Sequence, residues 1–206
     1  YNAALDKYLE SAGKLKATDY ERIGLVKACL GYDRNFIIDT INNKTGTGGI
    51  MSTIYGLMLA VSNDYVSPDR ITEIADSLVS LQMADGGWNL SGAYSDADVT
   101  AMALQALSAV RSYGYEDNIQ KGVGRLAALQ KDDAGYASYG VNNSESTAQV
   151  LMALCALNID YRTDTRFIKN GHTVLDALMG YRTSKGAFSH TKDGKSNALA
   201  TTQALG

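Results

Sequence analysis

Between residues 69 and 82 the apolar side chains Ile71, Ile74, Ala75, Leu78, Val79 and Leu81 fall at the three- and four-residue intervals of one helix face, with Arg70, Glu73, Asp76 and Ser77 opposite them. The pattern predicts a helix with one wet side. Parts of the same period run through 18–30, 119–130 and 166–179, the last carrying Ile168, Gly171, Val174, Leu175, Leu178 and Met179. The stretch 99–110 reads differently, because Ala101, Met102, Ala103, Leu104, Ala106, Leu107 and Ala109 surround it, and 147–157 is nearly as apolar. Helices of that kind are buried on every side. Two starts are legible: Ser67 before Pro68 reads as an N-cap with proline at the first helical position, and Thr18 with Glu21 reads as a capping box.

Taken alternately, these segments give outer helices near 2–12, 33–42, 68–82, 116–130 and 165–180, and inner ones near 18–30, 48–62, 97–111, 145–158 and 196–206. The alternation is a repeat. Thr-led runs of small and apolar residues begin at Thr53, Thr100, Thr147 and Thr201, spaced 47, 47 and 54 residues apart. Three are preceded by a turn ending in an aromatic, Asp85-Gly86-Gly87-Trp88, Asp133-Ala134-Gly135-Tyr136 and Lys185-Gly186-Ala187-Phe188, with the aromatic 12, 11 and 13 residues ahead of its threonine. Helical hairpins that cannot bury their inner faces alone must stack on neighbours. With an inner layer apolar all round, the expected architecture is all-α, a single domain over 1–206 whose five hairpins close into a double ring. The sequence opens at Tyr1 without a charged signal region and stops at Gly206 inside a helix-forming run, so it reads as a piece of a longer chain with further domains and room for a sixth pair.

Composition narrows the classes of partner. With 45% apolar and 20% charged residues the chain has the make-up of a globular domain, and one proline in 206 residues suits many helices. A net charge of −3 with 19 unclustered Lys and Arg argues against nucleic acid, and no apolar run is long enough for membrane insertion. Cys29 and Cys155 lie within apolar helical stretches, where they read as small core hydrophobes, and nothing matches the spacing of a metal site.

The segment Gln82-Met-Ala-Asp-Gly86-Gly-Trp88 matches Q-x-x-x-G-x-W, Gln130-Lys-Asp-Asp-Ala134-Gly-Tyr136 is a degenerate second copy, and 182–188, ending in Phe188, is a weaker third. In these motifs the chain resembles the prenyltransferase and squalene cyclase repeat superfamily, closely over 65–206 and loosely before. The resemblance implies an (α/α) toroid of terpenoid cyclase-like kind, in which Gln82, Gly86, Trp88, Gln130, Tyr136 and Phe188 are structural. That ring serves terpene cyclases, protein prenyltransferase subunits, complement thioester domains and cobalamin carriers of the intrinsic factor and transcobalamin type, so it does not by itself specify an activity.

Each catalytic branch demands particular residues. Class II terpene cyclases carry D-x-D-D, whose middle acid protonates an alkene or epoxide. The match here is Asp96-Ala-Asp98-Val99, which keeps Asp98 as a general acid but lacks the third carboxylate. The competing reading has Asp96 and Asp98, with Glu145 at the equivalent place before Thr147, capping the first turns of inner helices. Asp96 or Asp98 with Glu145 would also suit the paired acids of a glycosidase. The Asp, Cys and His set of a prenyltransferase zinc and the C-G-E-Q thioester are absent, and His172 reads as an outer-helix surface residue.

The remaining reading is a noncatalytic binding module. Loops 89–95, 137–144 and 189–196 all precede inner-helix starts and are rich in Tyr, Ser, Gly and Asn, the residues of adaptable recognition loops. Tyr94, Asp96, Asp98, Tyr139, Asn143, Glu145 and His190 are therefore the candidate ligand-binding residues, facing a small molecule or a protein at the loop end. No cofactor is required on this reading. Resemblance to the carriers adds cobalamin as a candidate ligand and an extracellular or cell-surface location, and a structural spacer is the further alternative.

Overall fold

A computed structural model describes residues 2–205, which are mostly helical with one two-stranded hairpin. In chain order the helices are α1 (Asn2–Ser11), α2 (Ala17–Cys29), α3 (Arg34–Asn43), α4 (Ile50–Val61), α5 (Pro68–Ser80), α6 (Ala97–Ser108), α7 (Glu116–Leu129), α8 (Ser144–Ala156), α9 (Val174–Met179) and α10 (Ala198–Leu205). The strands β1 (Tyr136–Ser138) and β2 (Val141–Asn143) lie between α7 and α8. Gly206, at the end of the expected last helix, lies outside the described residues.

The chain divides into two compact units, one of residues 1–81 and 109–115, the other of 82–108 and 116–206. In the first unit α2 packs on α3 and α4, and α4 on α5. The core is Ile23, Ile37, Ile41, Ile54, Leu57, Leu59, Ile74 and Leu78. Gly24 permits the close approach of α2 to α4, since a Cβ there would stand 2.7 Å from Leu59 Cδ2. Ser67 caps α5 as expected, its Oγ accepting from the Arg70 amide at 3.3 Å.

The other expected cap is corrected. The Asp19 carboxylate, not Glu21, accepts from the start of α2, at Lys16 N, 2.9 Å away. Glu21 is turned inward and fully buried, with Ser52 Oγ donating to its Oε1 at 2.5 Å. Lys27 is equally buried, held by Asp6 at 2.7 Å and Asp33 at 2.9 Å and lying over the ring of Tyr32. Three further expectations change. Cys29 and Cys155 are exposed and not core residues, because both fall in the last turns of their helices, α2 and α8. Leu81 is exposed at the end of α5, beyond its last full turn. The outer helix expected over 165–180 is a 3-10 turn (Thr165–Phe167), then a bridge between Lys169 and His172, and only then α9, whose start is fixed by Thr173 accepting from Asp176 N; His172 is on the bridge.

In the second unit α6 packs on α7 and α8, and α8 on α9 and α10. Trp88, Leu104, Leu107, Ile119, Val123, Leu126, Tyr136, Leu154, Phe167 and Tyr181 are buried there.

Candidate functional site

The repeated motif of the second unit is a hydrogen-bonded clamp. In the first copy Met83 N donates to Gly87 O at 2.9 Å, and Gln82 Nε2 donates to Gly86 O at 2.7 Å and to Asn118 O at 2.9 Å. Thr100 Oγ1 accepts from Trp88 N at 2.9 Å. In the second copy Lys131 N bonds Gly135 O, Gln130 Nε2 bonds Ala134 O and Phe167 O at 3.0 and 2.9 Å, and Thr147 Oγ1 accepts from Tyr136 N at 3.1 Å. The third keeps the turn, Thr183 N to Ala187 O, and the threonine, Thr201 Oγ1 accepting from Phe188 N at 2.9 Å, but Arg182 stands at the glutamine position and Thr183 Oγ1 adds a second donor to Ala187 O at 2.9 Å. Each clamp pulls its aromatic into the core, where Trp88, Tyr136 and Phe188 are buried. The left-handed turn position is Gly86 (φ 90°), Ala134 (φ 62°) and Gly186 (φ 82°), and at Gly86 a Cβ would also stand 2.8 Å from Lys121 O.

The threonine hydroxyl is thus committed on both sides, since Thr147 Oγ1 also donates to Asn143 O at 2.8 Å. Thr147→Val leaves the Tyr136 N–H buried without an acceptor and is expected to cost about 2 kcal/mol. Urea titration measures this, and an unchanged midpoint would mean the clamp is dispensable.

The clamps deliver three loops to the starts of α6, α8 and α10. The helix caps stand four residues before the repeated threonines: Asp96 Oδ1 accepts from Val99 N at 2.8 Å, Asn143 Oδ1 from Ser146 N at 2.7 Å and Asn197 Oδ1 from Ala200 N at 3.0 Å. Asp96 is therefore a cap, whereas Asp98 and Glu145 are not. Asn143 is buried and its amide is spent on the helix start and on Val141 O.

Asp98 and Glu145 stand in the first turns of adjacent helices. Burial pushes the Asp98 carboxyl above its ordinary range, the nearby Ser146 and Ser138 hydroxyls oppose that, and the charges of Asp96 and Glu145 add to it. Burial also raises Asp96, against the Val99 and Asp98 amides. Glu145 Oε2 meets His190 Nδ1 at 2.9 Å and accepts from Ser144 Oγ at 3.0 Å, while Ser144 N bonds His190 O. Asp98, Glu145 and His190, far apart in sequence, are thus brought to one end of the unit. Ser138, Ser144 and Ser146 belong to the same group and carry no sequence signal, because serine at a helix start reads as a cap and Ser138 ends a strand too short to be recognised.

Two tyrosines stand clear of this group. Tyr94 is 78% exposed in the loop before α6, and Tyr139 is 92% exposed at the tip of the β1–β2 hairpin. Pairing of Ser138 with Val141 leaves a two-residue turn, and both its residues, Tyr139 (φ 49°) and Gly140 (φ 82°), have positive φ, as in a type I′ turn. Asn, Asp or Gly is favoured at the first of these positions, and a tyrosine held there is displayed at a conformational cost. Among known proteins, no family model matches the chain and none of the curated sequences is recognisably similar.

Proposed function

We propose that the chain is a noncatalytic binding module whose recognition face is the loop end of the second unit, and that its hairpins belong to an (α/α) toroid. The ring is supported by the way the helices expected to be inner pack on one another, α2 on α4 in the first unit and α6 on α8 on α10 in the second. The binding reading rests on one observation above all: Tyr139 occupies the left-handed position of a tight turn with 92% of its surface in solvent. Strain of this kind, kept where a smaller polar residue fits better, is a mark of a functional position. Tyrosine supplies a large, stiff, amphipathic contact at low entropic cost, and Tyr94 offers a second from the neighbouring loop.

Selection of a random peptide library on the immobilised protein tests the reading. Enriched peptides are expected to converge on the loop end and to lose binding to a Tyr94→Ala/Tyr139→Ala variant of unchanged melting temperature. Peptides that hold the double variant as tightly as the parent would remove the proposed face. A parallel thermal-shift titration with a cobamide examines the small-molecule form of the reading, since ligand at about a hundred times its Kd adds about 2.7 kcal/mol to stability.

A second reading has one observation in its favour. Asp98 is held protonated to higher pH than an ordinary aspartate, as a general acid must be, which suits a terpene cyclase-like site. Against it, the third acid of that motif is Val99, which is buried.

A further inference from the structure

Two inner helices of the second unit are joined by a glutamine pair that the next two lack. Gln105, five residues after Thr100 on α6, donates through Nε2 to Gln149 Oε1 at 3.1 Å and to Gln149 O at 3.3 Å. Gln149 stands two residues after Thr147 on α8, and Gln203 stands two residues after Thr201 on α10. Gln203 is thus placed as the acceptor of the next pair, α8 with α10. Its donor is missing, because the residue five after Thr147 is Met152. Gln203 Oε1 is accordingly shielded from solvent without a hydrogen-bond partner among the described residues. Buried polar atoms are almost always bonded, so an open acceptor at this position calls for a donor that the repeat does not supply.

The same glutamine lines a cavity of about 510 Å³, together with Leu151, Met152 and Cys155 of α8, Leu178 of α9 and Leu205 of α10. Small-molecule sites run from roughly 300 to 1,000 Å³ and combine apolar walls with a few oriented polar groups, as here. Gln203 as a whole is only partly buried, which leaves its amide within reach of a bound molecule. No charged residue lines the cavity, so an ionic occupant would be desolvated without a counter-charge. The Met152 thioether and the Cys155 thiol put sulfur in the walls, and sulfur packs favourably against aromatic rings. These residues lie in the later turns of α8 and α10, away from the helix starts that form the loop end.

We infer that this cavity is a separate binding site for an uncharged aromatic molecule carrying one hydrogen-bond donor, a phenol or an indole. Its O–H or N–H bonds Gln203 Oε1, taking the part that Gln105 Nε2 plays at Gln149, and its ring lies against Leu151, Leu178 and the two sulfurs. Tyr94, Tyr139 and the acids of the loop end take no part, so the site stands or falls independently of the recognition face.

Spectra of the full chain labelled at its methionine methyl groups test this, with 4-ethylphenol and indole as probes and 4-ethylanisole as the control without a donor. The Met152 methyl is expected to shift saturably with both donors, and the anisole to bind about tenfold or more weakly, the loss of one hydrogen bond to a buried acceptor. Gln203→Leu is expected to bind the phenol and the anisole equally. The exposed Cys155 gives a second readout: 4-ethylphenol should slow its modification by a disulfide reagent, with Cys29 as the internal reference. Met152→Gln places a donor where α6 has Gln105 and is expected to remove that protection, and variants on two helices guard against a folding defect in one. The inference is overturned if neither donor shifts Met152 saturably, if the anisole binds the wild type as tightly as the phenol, or if Gln203→Leu still prefers the phenol. It is overturned too if the Met152 methyl shifts with protein concentration alone, which would make the groove a contact between copies of the chain.

Discussion

Glu21→Gln is expected to abolish most of the pH dependence of stability between about pH 4.5 and 7. Glu21 is fully buried on α2, with Ser52 donating to Oε1 and, among the described residues, no cation beside it and nothing bonding Oε2. Burial lifts its carboxyl from 4.5 to about 7, the Ser52 hydroxyl pulling the other way. The folded state therefore keeps the proton over a range in which the unfolded chain has released it. The contribution to stability is fully present below pH 4.5, declines as pH rises, and is gone above about 7, a swing on the order of 3 kcal/mol. At about 2–4 °C per kcal/mol for a chain of this size, the wild type should melt several degrees lower at pH 8 than at pH 5. The variant should melt at nearly constant temperature and exceed the wild type at pH 8. At pH 5 it gains nothing, since its amide nitrogen brings a donor to the place where Oε2 has no partner. Parallel melting profiles for the two proteins would show that Glu21 ionises without consequence.

Glu21 also marks the limit of what the sequence discloses. Its place three residues after Thr18 imitates a capping box, and nothing in the local pattern says that the chain begins α2 earlier, with Asp19 facing Lys16. Lys27 is the same case: a lysine inside an apolar run reads as a solvated interruption, and only the arrival of Asp6 and Asp33 makes its burial tolerable. Repetition, in contrast, is legible because it is physical. Glutamine, glycine, aromatic and threonine recur since each turn needs a side-chain donor for its carbonyl, a left-handed residue, a core anchor and an acceptor for the anchor's amide. The β1–β2 hairpin is not legible in the sequence, because Tyr-Gly is a weak form of the Asn-Gly turn signal and its strands are three residues each. In the candidate site, Asp98 and Glu145 were visible as acids near helix starts. Their separation from the capping role was not, because the caps at Asp96, Asn143 and Asn197 are recognised only by the bonds they accept.

Tyr139→Asn should make the protein more stable and its loop end inert. Asparagine tolerates positive φ and favours the first position of a type I′ turn, so the hairpin register of Ser138 with Val141 is kept while strain is relieved. A gain of about 0.5–1 kcal/mol is expected, seen as a melting temperature a few degrees higher. No packing is lost in exchange, because the ring is 92% exposed. Binding of the selected peptides should fall by roughly thirtyfold or more, the loss of an aromatic hot spot worth about 2 kcal/mol. Tyr139→Phe separates the two effects, since it keeps the strained turn and the ring: stability should stay at the wild-type value and most of the affinity should remain. Stability gained with affinity lost identifies a residue retained for contact at the expense of its turn. A more stable asparagine variant that binds as the parent does would make the tyrosine an accident of the hairpin and shift the recognition face to Tyr94 and the carboxylates.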